Sequence, residues 1–106
     1  MKYIVPNERL NKLMTDNLNS FMDSCDVSKF DSFITLSKEV QGGNFVGMYN
    51  DVLMEYDNED GRLYIGIDTF RNFTNWFHIY PDDAKEFIKD WFEKTFDVEV
   101  YYTRVS

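Results

Sequence analysis

The chain has 106 residues, 19 acidic against 11 basic side chains, a formal net charge of −8, and 43% hydrophobic and 18% aromatic residues. That is a single domain's worth of sequence with the balance of a folded chain, not a disordered one. It holds no run of about 18 apolar residues that would cross a membrane, only Cys25 for disulfide chemistry and only His78 for a histidine-based metal site, so an intramolecular disulfide and a Cys/His zinc site are both excluded.

Residues 6–24 are expected to form the first helix. Pro6 suits a first helical position and Glu8 the positive end of the helix dipole. Leu10, Leu13, Met14, Leu18, Phe21 and Met22 recur at i, i+3, i+4 and form one apolar stripe. Residues 32–40, rich in β-branched and aromatic types, read as a strand. Gly42-Gly43 reads as a turn and Phe45–Tyr49 as a weaker strand. A hairpin follows: Val52, Met54 and Tyr56 alternate with Leu53, Glu55 and Asp57, and Leu63, Ile65 and Ile67 alternate beyond Asn58-Glu59-Asp60-Gly61. Gly61 supplies the left-handed residue that such a turn needs. Residues 69–80 carry two periods at once. Phe70, Phe73 and Phe77 are spaced as on a helix, whereas Trp76, His78 and Tyr80 alternate as on a strand, so a short helical turn followed by extended chain is expected. Pro81 opens a second helix over 81–95, with Asp82 and Asp83 at its start and Ala84, Phe87, Ile88, Trp91 and Phe92 on its apolar face. A last strand covers 98–103. The predicted fold is a single α+β domain, residues 1–106, in the order α-β-β-β-β-α-β. An antiparallel sheet carries both helices on one face.

Motifs for chemistry fail on inspection. Asp57-Asn58-Glu59-Asp60-Gly61 resembles a calcium loop, but alignment on Gly61 puts Tyr56 and Ile67 where carboxylates are required. Gly42–Gly47 lacks the Lys-Ser/Thr pair of a phosphate loop. His78 lies between Phe77 and Ile79 with no nucleophile in a recognisable setting, and is expected to be a packed structural residue. Cys25 has no basic neighbour in sequence to lower its pKa and is expected to be an inert, partly buried thiol. The N-terminus meets polar residues too early for a signal peptide. Neither a catalytic residue, a cofactor nor a metal is expected, and the chain is read as a non-enzyme.

Charge distribution is the most informative feature. Residues 51–60 carry five acidic side chains and no basic one. Tyrosines are interleaved with the acidic groups, an arrangement that suits aromatic anchors inside a polar rim. The expected partner-binding residues are Glu55, Tyr56, Asp57, Glu59, Asp60 and Tyr64. A surface of this sign repels nucleic acid and anionic lipid, so the expected partner is a protein with a basic surface, reached by neither DNA nor membrane contact.

Three segments carry a resemblance: Lys2-Tyr3-Ile4-Val5-Pro6 followed by an amphipathic helix, Met54-Glu55-Tyr56-Asp57 with Asp60-Gly61-Arg62-Leu63, and Phe87-Ile88-Lys89-Asp90-Trp91-Phe92-Glu93. Together they resemble small, uncharacterised proteins of tailed bacteriophages. The resemblance implies a phage source and a location in the cytoplasm of the bacterial host, and it brings no active site with it. The resulting expectation is a protein that binds and inhibits or redirects a host protein, such as a nucleic-acid-handling defence enzyme, in the manner of an anti-CRISPR or anti-restriction protein. The alternatives are a virion, assembly or self-associating homo-oligomeric component, and an immunity protein that neutralises a toxin.

Overall fold

A computed structural model describes residues 8–41 and 48–106. Its elements are α1 (Glu8–Asp23), β1 (Asp26–Phe30), β2 (Phe33–Gln41), β3 (Met48–Asp57), β4 (Arg62–Ile65), α2 (Ile67–Phe77), α3 (Pro81–Phe96) and β5 (Tyr102–Val105). The five strands form one sheet in the order β1-β2-β3-β4-β5. The α+β class and the single covered face are as the sequence indicates. Pro6, Gly42-Gly43 and residues 45–47 lie outside the described residues, while Met48 and Tyr49 belong to the same strand as Asp57.

Alternation along the strands separates the two faces of the sheet, interrupted in β3 at Leu53, where the register with β2 shifts by one residue. Toward the helices, one cross-strand row runs Val27, Leu36, Met54, Ile65, Val105 and the next Lys29, Ile34, Tyr56, Leu63, Thr103. Leu36, Met54, Leu63 and Ile65 are fully buried there against Met14 and Leu18 of α1, Phe70 and Phe73 of α2, and Phe87, Ile88, Trp91 and Phe92 of α3. Each such aromatic or aliphatic side chain contributes about 1.5–3 kcal/mol by leaving water. Tyr56, Phe92 and Phe96 pack in series as tilted rings, with centroids 5.6 and 4.5 Å apart. Helices occupy that face alone.

Three features depart from the sequence expectation. First, β1 is an additional edge strand, paired with β2 across the two-residue turn Asp31-Ser32, where Asp31 takes φ 55°. Second, residues 67–77 form a complete helix rather than a helical turn with extended chain: Phe70 and Phe73 are buried, whereas Trp76, His78 and Tyr80 are exposed. The competing alternation therefore belonged to surface positions, and burial of the phenylalanine stripe decided the conformation. Third, β5 runs parallel to β4. The chain between them is a helical connection through α2 and α3, and a strand that returns after such a crossover lies parallel to the one it left. The sheet is thus mixed, not wholly antiparallel. The last strand also starts later than expected, at Tyr102, after the irregular stretch 98–101.

Candidate functional site

The described surface concentrates acidic and aromatic groups at one end of the sheet, where three chain segments meet. The first is the Asp31-Ser32 turn. The second is the β3–β4 turn, closed by Gly61 N–H donating to Asp57 O at 2.9 Å, with Gly61 at φ 69°. Within it Asp57 Oδ1 accepts from Glu59 N–H at 2.9 Å, and Asp60 Oδ1 from Arg62 N–H at 3.2 Å. These are the local carboxylate–amide bonds that favour aspartate in turns. Asn58 N–H donates to Ser32 O at 2.8 Å and ties the two turns together.

The third segment is Asp97–Tyr102. Asp97 ends α3 in the left-handed region, φ 54°, its N–H bonded to Glu93 O. Glu93 then holds the segment: its Oε2 accepts from Val100 N–H at 2.8 Å, while Oε1 lies 3.8 Å from Lys89 Nζ. Tyr101 N–H donates to Gly61 O at 2.8 Å, and its ring lies directly over Gly61, where no side chain would fit. Tyr102 Oη reaches toward Asp60 Oδ2 at 3.5 Å.

Phe30 is 75% exposed, Tyr101 69%, and Phe33 and Tyr102 are partly open as well. Around them stand the carboxylates of Asp31, Asp57, Glu59, Asp60, Asp97 and Glu99. Large apolar rings left in water beside a cluster in which carboxylates outnumber the cations Arg62 and Lys29 are a composition found at protein interfaces.

The expected site residues divide between the two faces. Glu55, Asp57 and Tyr64 lie on the face without helices, and Glu59 and Asp60 on the turn. Tyr56, expected as an exposed anchor, is 2% exposed on the helix-covered face, so it cannot touch a partner. Its hydroxyl donates to Glu99 O at 2.6 Å and thereby fixes the returning 98–101 segment. Burial first, then the negative groups of Tyr101, Glu99, Glu93 and Asp57, raise its pKa above the ordinary tyrosine value. Phe30 and Tyr101 are the exposed rings at this end that the expected list lacks. The short turn between two phenylalanines, Phe30-Asp31-Ser32-Phe33, was the available signal for the first.

Two other expectations meet the structure here. His78 is exposed and serves as the left-handed C-cap of α2, its N–H bonded to Thr74 O, rather than packing in the core. Cys25 is partly buried, and burial pushes its thiol pKa up; Lys38, a basic neighbour in space, opposes this with a smaller effect. Among the described residues no group of three His, Cys, Asp or Glu side chains is arranged to hold a metal ion. No described helix is long and apolar enough to cross a membrane. Comparison with protein-family models, with curated proteins and with solved structures yields no match.

Proposed function

We propose that this chain works by docking onto a basic protein surface through the turn end of its sheet. Phe30, Tyr101 and Tyr102 are the apolar anchors, and Asp57, Glu59 and Asp60 steer and orient the encounter. The observation that carries this reading is the joint exposure of Phe30 and Tyr101 at the one end where two turns and the 97–102 segment gather the carboxylates. Buried aromatic anchors supply most of the affinity of a protein interface, and a charged rim supplies rate and specificity. The partner class that fits best is a nucleic-acid-handling enzyme of a bacterial host. Its groove is lined with Lys and Arg to hold phosphates, and a rigid array of carboxylates competes for the same groups. In that reading the chain is an inhibitor encoded by a phage.

The test is capture from bacterial lysate with the purified chain, compared with a variant in which Glu55, Asp57, Glu59 and Asp60 are all reversed to lysine. Capture of a basic protein that weakens with salt, and that the reversed variant loses while keeping its circular dichroism and melting temperature, supports the reading. Capture that is unchanged by the reversal contradicts it.

A further inference from the structure

We infer that the helix-free face of the sheet pairs with a second copy of this chain. In one cross-strand row of that face, Phe33, Asp57, Arg62 and Tyr102 stand side by side on β2, β3, β4 and β5. On β2–β5 the row reads aromatic, acid, base, aromatic, with Phe30 of the edge strand β1 continuing it beyond Phe33. It is its own complement about the line between β3 and β4. A half-turn about that line lays β3 of one copy over β4 of the other, and β2 over β5. Asp57 then faces Arg62 of the second copy, twice over, and Phe33 faces its Tyr102. In the neighbouring row, Thr35, Glu55, Tyr64 and Arg104, the same operation sets Glu55 against Tyr64 and Thr35 against Arg104.

Charge selects this axis. The alternative half-turn, at right angles to the strands, stacks β3 on β3 and brings Glu55 and Asp57 against their own kind, which is repulsive. The selected axis keeps the strands aligned, as packed sheets prefer, at a separation of about 10 Å that facing Asp and Arg side chains span. The surface is self-complementary in the sense that a two-fold interface requires.

The acids and tyrosines of these rows hold only local hydrogen bonds, Asp57 from Glu59 N–H, Glu55 from Thr35 and Tyr64 to Ser106 O, and the basic groups are without ion pairs among the described residues. Asp57 and Arg62 are opposite one another in register, yet neither Arg62 nor Arg104 forms an ion pair with another described residue. A shallow depression of about 370 Å³ between Val52, Glu55, Arg62, Tyr64 and Arg104 leaves room for side chains from above. The stackable area, about 19 Å across the four strands β2–β5 and about 14 Å along the four-residue β4 and β5, is about a third of the roughly 800 Å² per partner in a stable complex. The pair is therefore weak and forms at high concentration. It shares Asp57 and Tyr102 with the docking proposed above, whereas Glu59, Asp60 and Tyr101 lie beyond the stacked rows, so reversal of Glu59 and Asp60 alone leaves the pairing intact while it weakens the docking.

Sedimentation equilibrium of the full chain over about 10 μM to about 1 mM tests this. The chain is expected to shift from monomer toward dimer across that range. Arg62→Asp, which sets acid against acid, and Asp57→Arg, which sets base against base, should each weaken pairing about tenfold or more. An equal mixture of the two variants should pair again, because every acid of one then meets a base of the other. Asp57 also accepts a hydrogen bond from Glu59 N–H; if Asp57→Arg lowers the melting temperature, Phe33→Asp, opposite Tyr102, takes its place as a single variant and should weaken pairing. A wild-type chain that stays monomeric throughout, a dimer indifferent to Arg62→Asp, or a mixture of folded Arg62→Asp and Asp57→Arg chains that stays monomeric overturns the inference.

Discussion

At the scale of single residues, Gly61 and Tyr56 hold the turn end in place. Gly61 takes a positive φ, and a Cβ there would lie 2.8 Å from Tyr101 Cγ. Gly61→Ala therefore meets both backbone strain and a ring that must move, and is expected to cost about 1–3 kcal/mol. Urea denaturation checks this. Repeating it in a Tyr101→Ala background should reduce the loss, because only the backbone component remains. Tyr56 acts from beneath. Removing its hydroxyl in Tyr56→Phe leaves Glu99 O without its 2.6 Å donor and is expected to cost about 1–2 kcal/mol. The same residue gives a pH dependence of known sign. Its folded pKa is raised, so the unfolded chain binds fewer protons at alkaline pH. Its contribution to stability is complete below the unfolded value of about 10 and is lost as pH rises through the higher folded value. In Tyr56→Phe the fall in stability above about pH 10 should be shallower than in the wild type.

At the scale of elements, what the sequence made legible followed from strong, unopposed periods. The β3–β4 hairpin folds as read around its turn, although a register shift between Val52 and Met54 breaks the alternation and Ile67 opens α2 instead of extending β4; α3 carries one period, with Pro81 at its start and Asp82 and Asp83 in its first turn. The alternation that defined the hairpin also contained the correction to the site: Tyr56 shares parity with Met54, not with Glu55 and Asp57, and so had to face the core. β1 was hidden because an edge strand needs little apolar character; all five of its residues are exposed, and its turn contains neither glycine nor asparagine. The turn end was hidden for a different reason. Phe30, Asp60 and Tyr101 are distant in sequence, and only the parallel return of β5 brings them together. The left-handed caps add a testable consequence. His78 and Asp97 close α2 and α3 at φ 53° and 54°, where a non-glycine residue is strained. His78→Gly is expected to raise stability by up to about 1 kcal/mol, read as an increase in melting temperature. Asp97→Gly should do likewise, and also removes a charge from the turn end.

At the scale of the whole molecule, covering only one face of the sheet leaves two distinct surfaces. The helices take the aliphatic rows and exclude water from them. The opposite face keeps the acid–base rows, and the end of the sheet keeps the exposed rings. With a net charge of −8, the field around the chain favours approach to positive surfaces and slows approach to negative ones. Association with the proposed partner should accordingly slow as ionic strength rises, with dissociation less affected. Stopped-flow binding at graded salt separates the two rates.

Photo-crosslinking from chosen positions tests the docking surface most directly. A photoreactive residue placed at Phe30 or Tyr101 reports on the turn end; one at Trp76, 73% exposed on α2, reports on a remote surface of similar accessibility. In bacterial lysate, adducts to one basic protein are expected from Phe30 and Tyr101, absent from Trp76, and lost when Glu59 and Asp60 are reversed to lysine. Adducts from Trp76 alone, or equal adducts from all three positions, would contradict docking through the turn end.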